Sequence, residues 1–144
     1  MKSLGPEITK WLAIALAGAI GATLRGGVGT IVEKYVWGNI ARNGHSTTLF
    51  PVATLCVNLT GCLVIGGLWQ ITRSSETISP FWQAVLVVGF LGSLTTFSTF
   101  AKETLVYLEE GHIMLAGSNV LLNVVGGLLA VWSGSGIASI WIHK

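Results

Sequence analysis

The chain has 144 residues, of which 51% are hydrophobic and 10% charged, with a formal net charge of +2. Soluble domains carry roughly a quarter charged residues, so this composition, with a mean hydropathy of +0.72, marks a membrane protein. The near-neutral charge gives no basis for nucleic-acid binding, and nothing in the chain is left over for a separate soluble domain.

Four apolar segments are predicted, about Trp11–Val36, Leu49–Ile71, Phe81–Leu108 and Ile113–Ile142. Each exceeds the about 20 residues that cross a bilayer core as helix. The links are polar: Trp37 to Thr48, Thr72 to Pro80, and the tight Glu109-Glu110-Gly111-His112. The fold class is therefore an all-α membrane protein of four transmembrane helices, with both termini on one side.

In the first segment Lys2 and Lys10 precede an apolar run with Ala17-Gly18-Ala19, which resembles a secretory signal. The apolar character continues well past that point, which argues against cleavage. Gly18, Ala22 and Gly26 recur every four residues, the small-xxx-small spacing of close helix approach. Gly126, Ala130 and Gly134 repeat it in the fourth segment. Arg25 lies inside the first span, where a charge is costly and faces a cavity, a partner or the interface. A structural or vestibule role, or snorkelling toward the next link, fits it better than direct ion contact.

The second segment holds Asn58 near mid-depth, with Thr54 one helical turn before it on the same face. The fourth supplies Asn119 and Asn123, also one turn apart. A buried carboxamide in lipid must find a partner, and one alone would be interhelical glue; several converging from different helices form a polar track. Cys56 and Cys62 lie on different faces of one helix and read as packing residues rather than a disulfide or metal pair. His45, His112 and His143 show no ligand spacing.

The third segment contains Gly89-Phe90-Leu91-Gly92-Ser93-Leu94-Thr95-Thr96-Phe97-Ser98-Thr99-Phe100. The residues alone leave two readings. In one, an ordinary helix flexes at glycine and its hydroxyls bond the preceding turn. In the other, the helix is broken near the midplane and offers carbonyls and helix ends to an ion, which a span tolerates only beside protein or a watery cavity. Phe97 and Phe100 share a face at i, i+3, with Glu103 three residues on. Such pairs usually pack; alternatively their ring edges, positive from the aromatic quadrupole, attract a small anion.

The side bearing the termini holds four cations (Lys2, Lys10, Arg73, Lys144) and the opposite side three (Lys34, Arg42, Lys102). So slight a bias allows insertion in both orientations and an antiparallel homodimer. A break placed on the two-fold axis would set two groups of carbonyls face to face, a site suited to a hard cation such as Na⁺.

The Gly89–Phe100 run closely resembles the signature of the CrcB/Fluc fluoride channels. Gly21-Ala22-Thr23-Leu24-Arg25 and Thr54-Leu55-Cys56-Val57-Asn58-Leu59-Thr60-Gly61 resemble that family's first and second motifs, and the order matches along essentially the whole chain. The resemblance implies a dual-topology, antiparallel homodimer with two pores in a plasma membrane (the inner one in a Gram-negative cell), passing fluoride passively and selecting it over chloride. It implies pores lined by Phe97 and Phe100 with Asn58 as donor, and by Thr54, Ser98, Thr99, Asn123 and Glu103, with Arg25 toward the vestibule. It also implies a structural Na⁺ held by the backbone carbonyls of Gly92 and Thr95. Ser93 departs from the family's usual second Gly, and the hydroxyl-rich track of the fourth segment stands here as Asn123 and Gly127. The runner-up is a small four-helix proton-coupled multidrug exporter, which would need a mid-depth carboxylate that the first span lacks. A non-transporting assembly subunit would account for the glycines but not for the converging Asn, Thr and Phe. A membrane enzyme is disfavoured for want of any nucleophile–base or metal set.

Overall fold

A computed structural model describes residues 4–37, 50–74 and 78–142. Lys2, Arg42 and Lys144 of the charge comparison lie outside the described residues, as do His45, His143 and the expected start of the second segment at Leu49. Four helical stretches are long and apolar enough to cross a membrane: Glu7–Tyr35, Val52–Ser74, Pro80–Glu109 and Ile113–Ile142. The first helix begins at Leu4, ahead of the expected Trp11. Apolarity reports where lipid starts, whereas Glu7, favourable beside the positive helix N-terminus, lets the helix extend further. Lys10 sits over Trp11 and Lys34 over Tyr35. These two pairs are about 36 Å apart along the helix at ~1.5 Å per residue, slightly more than a hydrocarbon core.

The helix ends follow from local chemistry. Ser79 caps Pro80–Gln83, its hydroxyl accepting from the Trp82 N–H, with Pro at the start of the helix where its missing N–H costs nothing. At the far end of the third span Gly111 takes φ 77°. The Gly111 N–H donates to Leu108 O and the His112 N–H to Tyr107 O, so the last carbonyls are satisfied and the chain reverses into Ile113–Ile142.

The third span is the most buried of the four and the first the least. It changes partners along its length. The Ala84–Leu91 stretch, wound as a π-helix, and Gly92–Leu94 pack mainly on the first span, whereas Phe97–Glu109 packs on the fourth. Between them Thr95 (φ −79°, ψ 156°) and Thr96 (φ −150°, ψ 106°) have extended backbone. The second and fourth spans form the most extensive helix pair.

Both main pairs approach through reciprocal glycines. Gly21 meets the Phe90 carbonyl, and Gly89 meets the Ile14 carbonyl 2.7 Å from where a Cβ would stand. Gly66 meets the Val131 backbone and Gly134 the Leu63 backbone. In hydrocarbon, where lipid tails are as apolar as the helices, such contact supplies dispersion attraction that larger side chains would prevent. The expected four-residue ladder is thus redistributed. Gly18 and Gly21 carry the first contact, and Gly26 faces open space, because each four-residue step drifts about 40° around a helix of 3.6 residues per turn and the ladder leaves the contacting face by Gly26. Val57, Leu91 and Leu94 form the core beneath the extended step, with Val28, Ile65, Leu68 and Phe90 packed against it. Large apolar side chains such as Leu16, Trp69, Leu128 and Trp132 cover the outside, as lipid requires.

Candidate functional site

The extended step at Thr95–Thr96 withdraws two peptide units from the helical ladder, and each polar atom there is taken up differently. The Thr95 N–H still donates to Leu91 O at 3.0 Å, joined by the Thr95 hydroxyl at 2.9 Å. The Thr96 N–H, which would close on Gly92 O in an unbroken helix, donates instead to Asn58 Oδ1 at 2.8 Å. The carbonyl of Thr96 accepts from Asn58 Nδ2 at 3.4 Å, and that of Thr95 from Arg25 Nη1 at 3.3 Å. The Thr96 hydroxyl caps the next helix, accepting from the Thr99 N–H at 3.2 Å and donating to Thr99 Oγ1 at 2.8 Å. Sequence reading foresaw hydroxyls bonded to their own turn or an ion site; here the local caps and the cross-helix braces coexist.

Two cavities border this step, and Thr96 lines both. One, of about 320 Å³, is lined by Asn58, Cys62, Gly92, Thr95, Phe97, Phe100 and Asn123 among others. Its phenyl rings are 5.4 Å apart between centroids and tilted by 58°. They differ in setting: Phe100 is 8% exposed, Phe97 78%. The other cavity, about 420 Å³, is lined by Arg25, Thr54, Thr99 and Glu103 with the small residues Ala22, Gly26 and Gly29. There Thr54 donates to Glu103 Oε1 at 2.7 Å, while Glu103 Oε2 is buried with no hydrogen-bond partner among the described residues.

All but Ser98 of the residues expected to form the site therefore fall into two groups rather than one track. Asn58, Asn123, Phe97 and Phe100 share the first cavity with Gly92 and Thr95. Thr54, Thr99, Glu103 and Arg25 share the second. Ser98 is exposed, lines neither, and lies 3.4 Å from the Thr96 hydroxyl. Arg25 does not snorkel toward the link; its guanidinium is turned to the Thr95 carbonyl.

Carboxamides tie the second, third and fourth spans together. Asn58 Nδ2 donates to Asn123 Oδ1 at 2.8 Å. Asn123 Nδ2 donates to Asn119 Oδ1 at 2.9 Å and to the Asn119 carbonyl at 3.0 Å. Asn119 Nδ2 donates to Thr104 Oγ1 at 3.0 Å and lies 3.5 Å from the Phe100 carbonyl. Thr96 was not among the site residues expected from sequence, and Asn119 was expected only as a member of the polar track, not as a pore residue. The signal for Asn119 was its place one turn before Asn123; for Thr96, its place beside the aromatic pair. Cys62, expected as packing, lines the first cavity beside Gly127, its sulfur 3.4 Å from where a Cβ on that glycine would stand. Both thiols are free.

Gly92 O has lost the N–H of Thr96, and Thr95 O, with two lone pairs, holds one long contact, to Arg25, among the described residues. Oxygen-only donors at a helix C-terminal end fit Na⁺ in kind.

The profile of the family described as CrcB-like protein, Camphor Resistance (CrcB), matches residues 12–135. The chain belongs to this CrcB-like family. It is 41% identical over 123 residues to a protein of Pseudomonas syringae pv. tomato named Fluoride-specific ion channel FluC, covering 85% of this chain and 91% of that one. A protein of the same name from Shewanella amazonensis is 42% identical over 123 residues, with 85% and 90% covered. One from Solibacter usitatus is 37% identical over 129 residues, with 90% and 98% covered. The matched region of the CrcB-like chain takes in every residue of both cavities.

Proposed function

We propose that this CrcB-like protein is a fluoride-selective channel that lets fluoride leave the cytoplasm passively across the plasma membrane. The observation that carries the reading is the first cavity. At an extended step within an apolar span, two phenyl rings, two carboxamides and the start of the Phe97–Glu109 helix converge. Family membership and the names of its relatives agree with it.

Fluoride is small and strongly hydrated, so a pore must replace its water without holding it by full charge. Ring edges offer diffuse positive potential, side-chain amides offer directed hydrogens, and a helix N-terminus adds a fixed positive end. None of these is a full cation, so the ion is not trapped, as conduction requires. Fluoride enters cells as its neutral conjugate acid and ionises inside; a negative interior then drives the anion out by about 2.3 kcal/mol per charge per 100 mV. The embedded carboxylate, Glu103, sits in the third span on a hydrogen bond from Thr54. The first span carries Arg25 at that depth, which leaves the proton-coupled exporter disfavoured.

The finer reading is an antiparallel homodimer whose third span is broken near the midplane. Thr95 and Thr96 lie halfway along Pro80–Glu109, and Phe97, which lines the first cavity, is largely uncovered, so a second copy would cover it. The nearly balanced flanking charges support insertion both ways. On the two-fold axis the carbonyls of Gly92 and Thr95 from both copies would hold a structural Na⁺, whose charge would pin the two steps together. The deciding experiment is fluoride efflux from liposomes containing the purified protein, with chloride as control. Fluoride release without chloride release supports the reading; equal release of both, or of neither, rejects it.

A further inference from the structure

The three carboxamides form a row with a single polarity. Each Nδ2 donates onward and each Oδ1 accepts from behind: the Thr96 N–H to Asn58, Asn58 to Asn123, Asn123 to Asn119, and Asn119 to Thr104. Thr104 closes the row by donating to the Phe100 carbonyl at 2.9 Å. Asn119 is the only one of the three carboxamides with no exposed surface, at 0%, and it lines neither cavity. Its orientation is fixed from both ends. Turned over, its NH₂ would face the NH₂ of Asn123 and its oxygen would face the Phe100 carbonyl, placing like groups together.

We propose that Asn119 is a positioning residue that sets which way the pore carboxamides point. Both Asn123 hydrogens are consumed by Asn119, so the Asn123 oxygen is left toward Asn58 and takes one Asn58 hydrogen at 2.8 Å. The other Asn58 hydrogen is held only by the 3.4 Å contact to the Thr96 carbonyl. Asn58 and Thr96 both line the first cavity, so this weakly held hydrogen is the one an anion there takes over. Remove the acceptor at Asn119 and Asn123 is free to turn its own NH₂ toward Asn58, which displaces that donor. The inference rests on the fluoride reading for its flux readout but not for its spectroscopic one.

The test compares Asn119→Leu, which keeps size and removes the acceptor, with Asn119→Asp, which keeps the acceptor in an isosteric group. Each is made in the full-length protein and again on an Asn123→Ala background. Fluoride efflux should fall about tenfold or more in the Leu variant and stay within about threefold of native in the Asp variant, with no further loss in either on the Asn123→Ala background, as coupling through one partner demands. With ¹⁵N-asparagine labelling only Asn39, Asn43, Asn58, Asn119 and Asn123 report, and the Asn58 side-chain signal should move in the Leu variant but not in the Asp one. Where the Leu variant does not assemble, Asn119→Ala removes the same side-chain acceptor and should move the same signal. Equal flux in the Leu and Asp variants, equal losses in both backgrounds, or an unmoved Asn58 signal would overturn the proposal. Native protein that passes no fluoride would sink the channel reading, while the amide signals would still decide the role of Asn119.

Discussion

Asn58 and Thr96 are joined twice: the Thr96 N–H donates to Asn58 Oδ1 at 2.8 Å and the Thr96 carbonyl accepts from Asn58 Nδ2 at 3.4 Å. One side chain thus stands in for the peptide that a continuous helix would have supplied. In a bilayer, where no water can satisfy those atoms, this pairing is what lets extended backbone persist within a span.

Replacing Asn58 should therefore harm both stability and flux. Asn58→Leu orphans the Thr96 N–H, which costs roughly 1–3 kcal/mol for a buried donor, and it removes the track's donor. Asn58→Asp keeps an acceptor for that N–H and should lose less stability than Leu while still impairing fluoride passage. Melting of the detergent-solubilised variants and liposome efflux measure the two effects separately; equal melting temperatures for native, Asp and Leu proteins would contradict the brace.

The reciprocal glycines make a second, purely structural prediction. A methyl at Gly21 or Gly134 is driven into the Phe90 or Leu63 backbone, which cannot move like a flexible side chain. Gly21→Ala and Gly134→Ala should each destabilise by about 1–3 kcal/mol, as overpacking does. Gly136, with nothing within 4 Å, is the control: Gly136→Ala should stay within about 0.5 kcal/mol of native. Thermal unfolding of the three variants side by side checks it, and a Gly21 variant as stable as the Gly136 one would rule out the close crossing.

How much of this was legible in sequence depends on which physics set each feature. The four spans were, because lipid imposes a length and an apolarity that 144 residues display openly. The close crossings were legible as small residues, but not their pairing: which of Gly18, Gly21 and Gly26 makes contact depends on how the helix is rotated against its neighbour. Asn58 and Asn123 were legible as mid-depth amides, and they do meet. The division of Thr54, Thr99, Glu103 and Arg25 into a separate cavity was not. It depends on the direction the chain takes after Thr96, which two extended residues redirect and no periodicity encodes.

The proposed cation site predicts a dependence on small hard cations. Exchanging Na⁺ for a large organic cation should loosen the proposed homodimer and lower fluoride efflux, because the Gly92 and Thr95 carbonyls of its two copies would then repel one another at close range. Size-exclusion profiles with light scattering, and efflux in the two salts, measure this. Identical assembly and flux in both would remove Na⁺ from the architecture and leave the aromatic pore standing.

The unequal burial of Phe97 and Phe100 separates packing from conduction. Phe100 is 8% exposed and Phe97 78%, so Phe100→Ile should lower stability by about 1–3 kcal/mol through imperfect refilling of its site. Phe97→Ile should leave stability within about 0.5 kcal/mol of native. Isoleucine keeps the apolar surface and deletes the ring quadrupole, the property assigned to the anion. Fluoride efflux should accordingly fall in both single variants and vanish in the double variant, with the protein still eluting as the native assembly. Stability that tracks burial together with flux that tracks ring loss would support ring edges as fluoride contacts. A double variant that conducts at the native rate would leave the two rings as packing alone.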